Sequence, residues 1–195
     1  MLSQGIAGPR FEKPEEVVEW MGAMQAQDIR AAKWAVGLRI ANPSLTAVQE
    51  ALDTGRILRL HVMRPTWHYI PGRDIKWMTG LSTKGLLSKF RFYAKHFSLT
   101  EEDFLRSKPQ IEEVLSGQHL TSLEVLEQLH SKGIALDEPI VKMYLSFGEA
   151  DGTVCSGIEK NGKHTYALTC ERIPDAIELS HEEALAELTR RYFRS

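Results

Sequence analysis

Between Ile57 and Gly72 the chain changes period. Ile57-Leu58-Arg59-Leu60-His61-Val62-Met63-Arg64 and Thr66-Trp67-His68-Tyr69-Ile70 are β-rich runs split at Pro65 and closed by Pro71-Gly72. Two such runs around a break predict a hairpin. A second hairpin is expected where Thr153 to Gly157 and His164 to Thr169 flank Asn161-Gly162, since Asn-Gly between β-rich runs is the strongest short hairpin signal. The other patterned segments have helical spacing. The chain is therefore confined to a mainly α fold with small β-hairpin wings, an α+β arrangement.

The helices can be placed from caps and stripes. Pro14-Glu15-Glu16 suits a first turn, and Val17, Trp20, Met21 and Met24 come after it at helical spacing, so the first helix is expected to end near Gln25. Asp28 is the expected N-cap of a second helix with Ile29, Ala32, Ala35 and Val36 on its buried face, ended by Asn42-Pro43. This puts Gln25-Ala26-Gln27 at a helix-helix junction. Ser44 starts a third helix, closed by Gly55. Further helices are expected from about Lys84 to Lys95, from Thr100 to Leu115, from Leu123 towards Gly133 and from Ile140 to Ala150. The order helices-then-hairpin occurs twice, suggesting tandem winged helix-turn-helix units over 1–82 and 83–178. A helix after Ser180, carrying Leu185, Leu188, Tyr192 and Phe193, is expected as the first element of a truncated third unit over 179–195.

No apolar run approaches the roughly 18 residues that span a bilayer, and no signal peptide is visible, so a cytoplasmic protein is expected. Cys155 and Cys170 are expected as two buried thiols. In a two-residue Asn161-Gly162 turn Cys155 would face Leu168, leaving Cys170 out of disulfide reach. With neither CxxC nor HExxH spacing, no metal and no cofactor are expected. The net charge of −2 conceals a segregation: residues 56–95 hold Arg56, Arg59, Arg64, Arg73, Lys76, Lys84, Lys89, Arg91 and Lys95 against Asp74 alone, a balance of +8 that leaves −10 elsewhere. Such a block is either the footprint of a polyanion-binding face or a solvated face whose acidic partners lie elsewhere in the sequence.

Three stretches, MGAMQAQD (21–28), LRLHVMRPTWHYI (58–70) and GTVCSGIEKNGKHTYALTCERIP (152–174), resemble the bacterial winged-helix proteins typified by AlkZ-like DNA glycosylases. The resemblance spans nearly the whole chain. It implies tandem winged-helix units, usually three, followed by a β-rich part, in proteins nearly twice this length. It also implies excision of alkylated purines, or unhooking of interstrand crosslinks, through a Gln-apolar-Gln or Gln-apolar-Asp motif. Gln25-Ala26-Gln27 matches the first version, so Gln25 and Gln27 become the candidate catalytic pair and double-stranded DNA the expected partner.

Hydrolysis of an N-glycosidic bond passes through an oxocarbenium-like sugar and normally recruits a carboxylate. Glutamine cannot act as a base, yet its carbonyl oxygen can hold a water and turn a dipole towards the sugar. That suffices for a cationic purine, which leaves without an acid. Asp28 and His68 are candidate supports for the water, although Asp28 fits better as an N-cap. Arg56, Arg59, Arg64, Thr66, Trp67, Arg73, Lys76, Lys84, Lys89, Arg91, Lys160 and Lys163 are candidate DNA contacts. For Trp67 a core position is the competing expectation, and Trp34 and Trp77 are expected in the core. The alternatives are a non-catalytic DNA-binding protein or transcriptional regulator reading the major groove with the Ile140 to Ala150 helix, or winged helices serving protein contacts.

Overall fold

The computed structural model describes residues 4–6, 8 and 11–195, and in it helices surround two small antiparallel sheets. Helix α1, Pro14–Met21, opens with proline in its first turn, and the Glu16 carboxylate accepts from the Lys13 backbone N–H at 3.2 Å. It stops earlier than the sequence suggests. Gly22 takes φ 73°, a left-handed conformation that only glycine adopts freely, and the chain leaves the helix there. Beyond Gly22 the backbone becomes extended as β1, Met24–Gln25.

Asp28 caps α2, Ile29–Gly37, accepting from the backbone N–H groups of Arg30 at 2.9 Å and Ala31 at 3.0 Å. This helix ends before Asn42-Pro43. The Ser44 hydroxyl caps α3, Leu45–Asp53, accepting from Ala47. The first hairpin is β2, Ile57–His61, and β3, Trp67–Pro71, and the sheet order is β1-β3-β2. Gln25 pairs with His68 across one edge, and Leu60 pairs with His68 across the other. At the hairpin's base a Cβ on Gly72 would fall 1.8 Å from the Gly55 carbonyl oxygen, so no other residue fits there without moving backbone.

This sheet is a central layer, because apolar residues cover both of its faces. Ile57 and Tyr69 join the core of Val17, Val18, Val36 and Val48, while Leu58, Leu60 and Ile70 join that of Ile75, Met78, Cys155 and Ala184. Each fully buried aliphatic side chain contributes roughly 1.5–3 kcal/mol. The hairpin therefore brings little but its tip to solvent. There Met63 has φ 64° and Arg64 is exposed.

The helix expected from Lys84 begins much sooner, as α4, Ile75–Ala94, and so the 82/83 boundary falls inside one continuous helix. Thr79, Ser82 and Thr83 obscured it in the sequence. Their hydroxyls donate to the carbonyls of Ile75 at 2.7 Å, Met78 at 2.6 Å and Thr79 at 2.7 Å, so they sit in the helix without disturbing its ladder. Helices α5, Glu101–Leu115, α6, Ser122–Ser131, and α7, Glu138–Asp151, build a second core around Ile111, Leu115, Val125, Val141 and Leu145. The hairpin β4, Val154–Ser156, and β5, Tyr166–Leu168, closes this core. Its register differs by one residue from expectation: Cys155 faces Ala167.

The short α8, Thr169–Arg172, carries Cys170, which is exposed, so only Cys155 is a buried thiol. Trp34 is also misplaced by sequence reasoning. It is 60% exposed, whereas Trp77 is buried as expected. The last helix, α9, His181–Arg194, is docked against α4 and α1. Arg191 and Asp74, both buried, lie 2.5 Å apart, and Trp77 Nε1 donates to the same carboxylate at 3.1 Å. Among the described residues no helix is long and apolar enough to cross a membrane.

Candidate functional site

Gln25 and Gln27 lie on the edge strand of the first sheet and its continuation. Met24 and Ala26 are buried while Gln25 and Gln27 are exposed, the period-2 alternation of an extended edge. The helix-helix junction expected here is instead a strand, which explains the spacing: residues i and i+2 of an extended chain turn to the same side. The two side chains are bound differently. Among the described residues nothing bonds the Gln25 amide, whereas Gln27 Oε1 accepts from the Trp67 backbone N–H at 3.3 Å. An N–H partner fixes the Gln27 amide with its oxygen inwards and leaves its NH2 group without a partner among the described residues.

The motif's backbone is held by Arg59. Its Nε donates to the Ala26 carbonyl at 2.9 Å and its Nη2 to the Gln27 carbonyl at 3.3 Å. The Ala26 N–H donates to the Trp67 carbonyl at 2.7 Å. Arg59 was a candidate phosphate contact, but its guanidinium is turned inwards, and burial lowers its pKa from the usual arginine value. The same guanidinium lies over the Trp67 ring, 4.2 Å from its centre.

His68, opposite Gln25, is buried, and its Nδ1 lies 2.8 Å from the Thr66 carbonyl. A carbonyl accepts only, so Nδ1 carries the proton and Nε2 is left as an acceptor. Burial depresses the imidazole pKa, and Arg64 and His61 lower it further, against the opposing bond to Thr66. At neutral pH the ring is a neutral acceptor beside Gln25. Asp28 is committed to capping α2. The recess behind Arg59, lined by Ile29, Ser156, Glu159 and His164, has a volume of about 20 Å3. That is room for about one water and far too little for a base.

Trp67 is half-buried in the seam between the two halves of the chain. His61 packs on it at 4.2 Å between ring centres, and His164 meets it nearly edge-on at 4.6 Å. Burial of His164 drives its pKa down to about 3. The seam is also joined by Lys33–Glu159 at 2.8 Å, by the Arg59 N–H donating to Ser156 Oγ at 2.9 Å, and by Arg172 donating to the Leu52 carbonyl at 2.7 Å. Sequence reasoning missed His61 and Glu149, and it put His164 at the wing tip as a candidate backbone contact, whereas its ring packs on Trp67. His61 and Glu149 pair across 88 positions, and no local pattern announces such a contact.

The basic block divides into two sets. Arg56 is tied to Glu15 and Glu50, Arg73 to Glu19, Lys76 to Glu178 and Arg91 to Glu101, as the solvated-face alternative anticipated. Arg64, Lys84, Lys89 and Lys95 are exposed and, among the described residues, no acid pairs with them. On the second hairpin Lys160 is paired with Glu124, and Lys163 is exposed without an acid among the described residues. Thr66 stands beside the first hairpin's tip with its hydroxyl buried and unpartnered among the described residues.

Comparisons with known proteins agree with this architecture. No curated protein matches the chain. A solved structure, the Streptomyces sahachiroi DNA glycosylase AlkZ, is similar with a TM-score of 0.77 and 20% sequence identity, over 100% of this chain and 54% of that one. At that identity the likeness is one of fold, and the chain spans about half the length of that protein. The family model described as DNA glycosylase AlkZ-like matches residues 18–195, and on that extent of sequence the chain belongs to the AlkZ-like DNA glycosylase family.

Proposed function

We propose that the protein is a DNA glycosylase of the winged-helix type, acting on cationic alkylated purines in duplex DNA from the edge that carries Gln25 and Gln27. The observation that carries this reading is the exposure of both glutamines on one extended edge, with the open acceptor nitrogen of His68 opposite Gln25. Gln25 Oε1 and His68 Nε2 hold a water by accepting from it. The Gln25 carbonyl dipole also faces the positive charge that develops on the sugar. Gln27 has its oxygen committed and presents NH2 to a phosphate oxygen. None of these groups is a strong base, so the site favours a base that leaves unaided. Purines alkylated on a ring nitrogen qualify, and neutral lesions react slowly. With the motif on an open edge, the lesion is engaged at the surface and need not enter a deep pocket.

Abasic-site formation on a duplex carrying N7-methylguanine tests this directly. Gln25→Ala is expected to slow excision by roughly 100-fold or more while duplex binding persists, the loss typical of a positioned transition-state group. A wild-type protein that binds duplex yet yields no abasic sites would leave the second reading, a non-catalytic DNA-binding protein. Such a protein would not read sequence through α7. Lys142 is tied to Glu138 at 2.6 Å, and Val141, Leu145 and Glu149 are buried against neighbouring elements. Its contacts would run instead through Arg64, Lys84, Lys89 and Lys95.

A further inference from the structure

Glu149 stands on the last turn of α7 and is completely buried. Its Oε2 lies 2.6 Å from Nδ1 of His61 at the end of β2, and its Oε1 has no partner among the described residues. Burial pushes the carboxyl above its usual range, and His61 and Arg59 pull it back. Removing a carboxylate from water with one oxygen unmet costs several kcal/mol, and an apolar side chain would fill the same space at less expense. Thr66 Oγ1, Tyr69 OH and His164 Nε2 are further buried polar atoms left unpartnered on Trp67 or the strand around it. Local violations of this kind concentrate where a geometry is held for use.

The group that Glu149 and His61 hold is Trp67. Its ring is packed by His61, Arg59 and His164, and its backbone bonds Ala26 and the Gln27 side chain. A carboxylate at Nδ1 fixes both the tautomer and the orientation of the imidazole, which an apolar neighbour cannot do. We propose that Glu149, acting through His61, is a positioning residue: it sets Trp67, and thereby Gln27, so that the second half of the chain controls the geometry of the glutamine edge. This rests on the reading of Gln25 and Gln27 as the reactive edge.

The double substitution His61→Phe/Glu149→Leu separates positioning from support. It removes both polar partners together and keeps a ring at position 61, so stability should hold or rise. Excision of N7-methylguanine under single turnover should nevertheless slow by about 10- to 100-fold, with duplex affinity unchanged. Glu149→Gln still accepts the His61 N–H through its amide oxygen and should retain most of the rate. Independently of activity, the Trp67 backbone amide resonance should move in the double variant and stay in place in Glu149→Gln. A stable double variant with an unmoved Trp67 amide, or with wild-type excision, overturns the proposal. A wild-type protein without excision, in which the Trp67 amide still responds, overturns the glycosylase reading and leaves the positioning intact. If the double variant does not fold, Glu149→Asp shortens the reach by one methylene. An unmoved Trp67 amide there is equally fatal.

Discussion

Replacing Lys84, Lys89 and Lys95 together by glutamine should flatten the salt dependence of duplex binding, whereas replacing Arg73, Lys76 and Arg91 should hardly alter it. The difference lies in pairing. The second set already faces Glu19, Glu178 and Glu101, so its charges release few counterions, while the first set has no acid against it among the described residues. If Arg64, Lys84, Lys89 and Lys95 each neutralise one phosphate, the slope of log K against log salt is about −3.6, roughly a 150-fold loss between about 50 and about 200 mM salt. With only Arg64 left, the slope falls to about −0.9, or a loss of roughly 3.5-fold over the same range. Fluorescence anisotropy of a labelled duplex across a salt series measures both slopes. The competing effect is that exposed ion pairs contribute only about 0–1 kcal/mol, so a phosphate can displace a glutamate. Equal flattening by the two triple variants would show that it does, and would refute the reasoning from pairing.

Buried charge sets two further outcomes. Arg191→Met alone should cost about 3–5 kcal/mol in urea unfolding because it strands the buried Asp74, and Asp74→Asn less because Arg191 keeps its pair with Glu187 at 2.6 Å. Asp74→Leu/Arg191→Met should cost about 1–3 kcal/mol, that of the Trp77 N–H left without its acceptor. His164 titrates at about 3 in the fold and near 6.5 when unfolded, so the unfolded chain binds the extra proton between those values. Stability conferred by the neutral ring is therefore present above about pH 6.5 and is lost as pH falls, at about 1.4 kcal/mol per pH unit. His164→Phe should remove that slope. Glu149, raised in the fold, opposes it above the usual carboxylate range, so urea midpoints of wild type and variant should be compared at each pH from about 7 to about 4.

Both hairpins and most helix starts were legible because their signals are local: Asp28, Ser44, Thr100, Thr121 and Ser180 all stand at N-caps. The site was half legible. The residues Gln25 and Gln27 stood out, but their strand did not, because Met21 and Met24 also satisfy helical spacing and a two-residue strand is too short to establish a period of its own. The charge excess of residues 56–95 was visible, yet composition could not separate Lys84 and Lys89 from Arg73 and Lys76. That division depends on Glu19 and Glu178, acids distant in sequence. Trp34 lies off the stripe of Ile29, Ala32 and Val36 and accordingly faces out, so its bulk alone had suggested the core. The support behind Trp67 left no trace at all, since His61 and Glu149 meet only when the two halves pack.

Helix α4 has a consequence for how such a chain can be inherited. Its first turns pack Ile75 and Met78 against the first sheet, and its later ones place Leu86 and Phe90 with Ala150 of the second half. Twenty residues of unbroken helix, about 30 Å, thus serve two cores at once. A recombination event that exchanged one half for a foreign copy would have to cut this rod or carry all of it across. Either way one core would receive a helix face shaped for another partner. The two halves are therefore expected to have been passed on together, with the glutamine edge and the α7 carboxylate behind it travelling as a single hereditary unit.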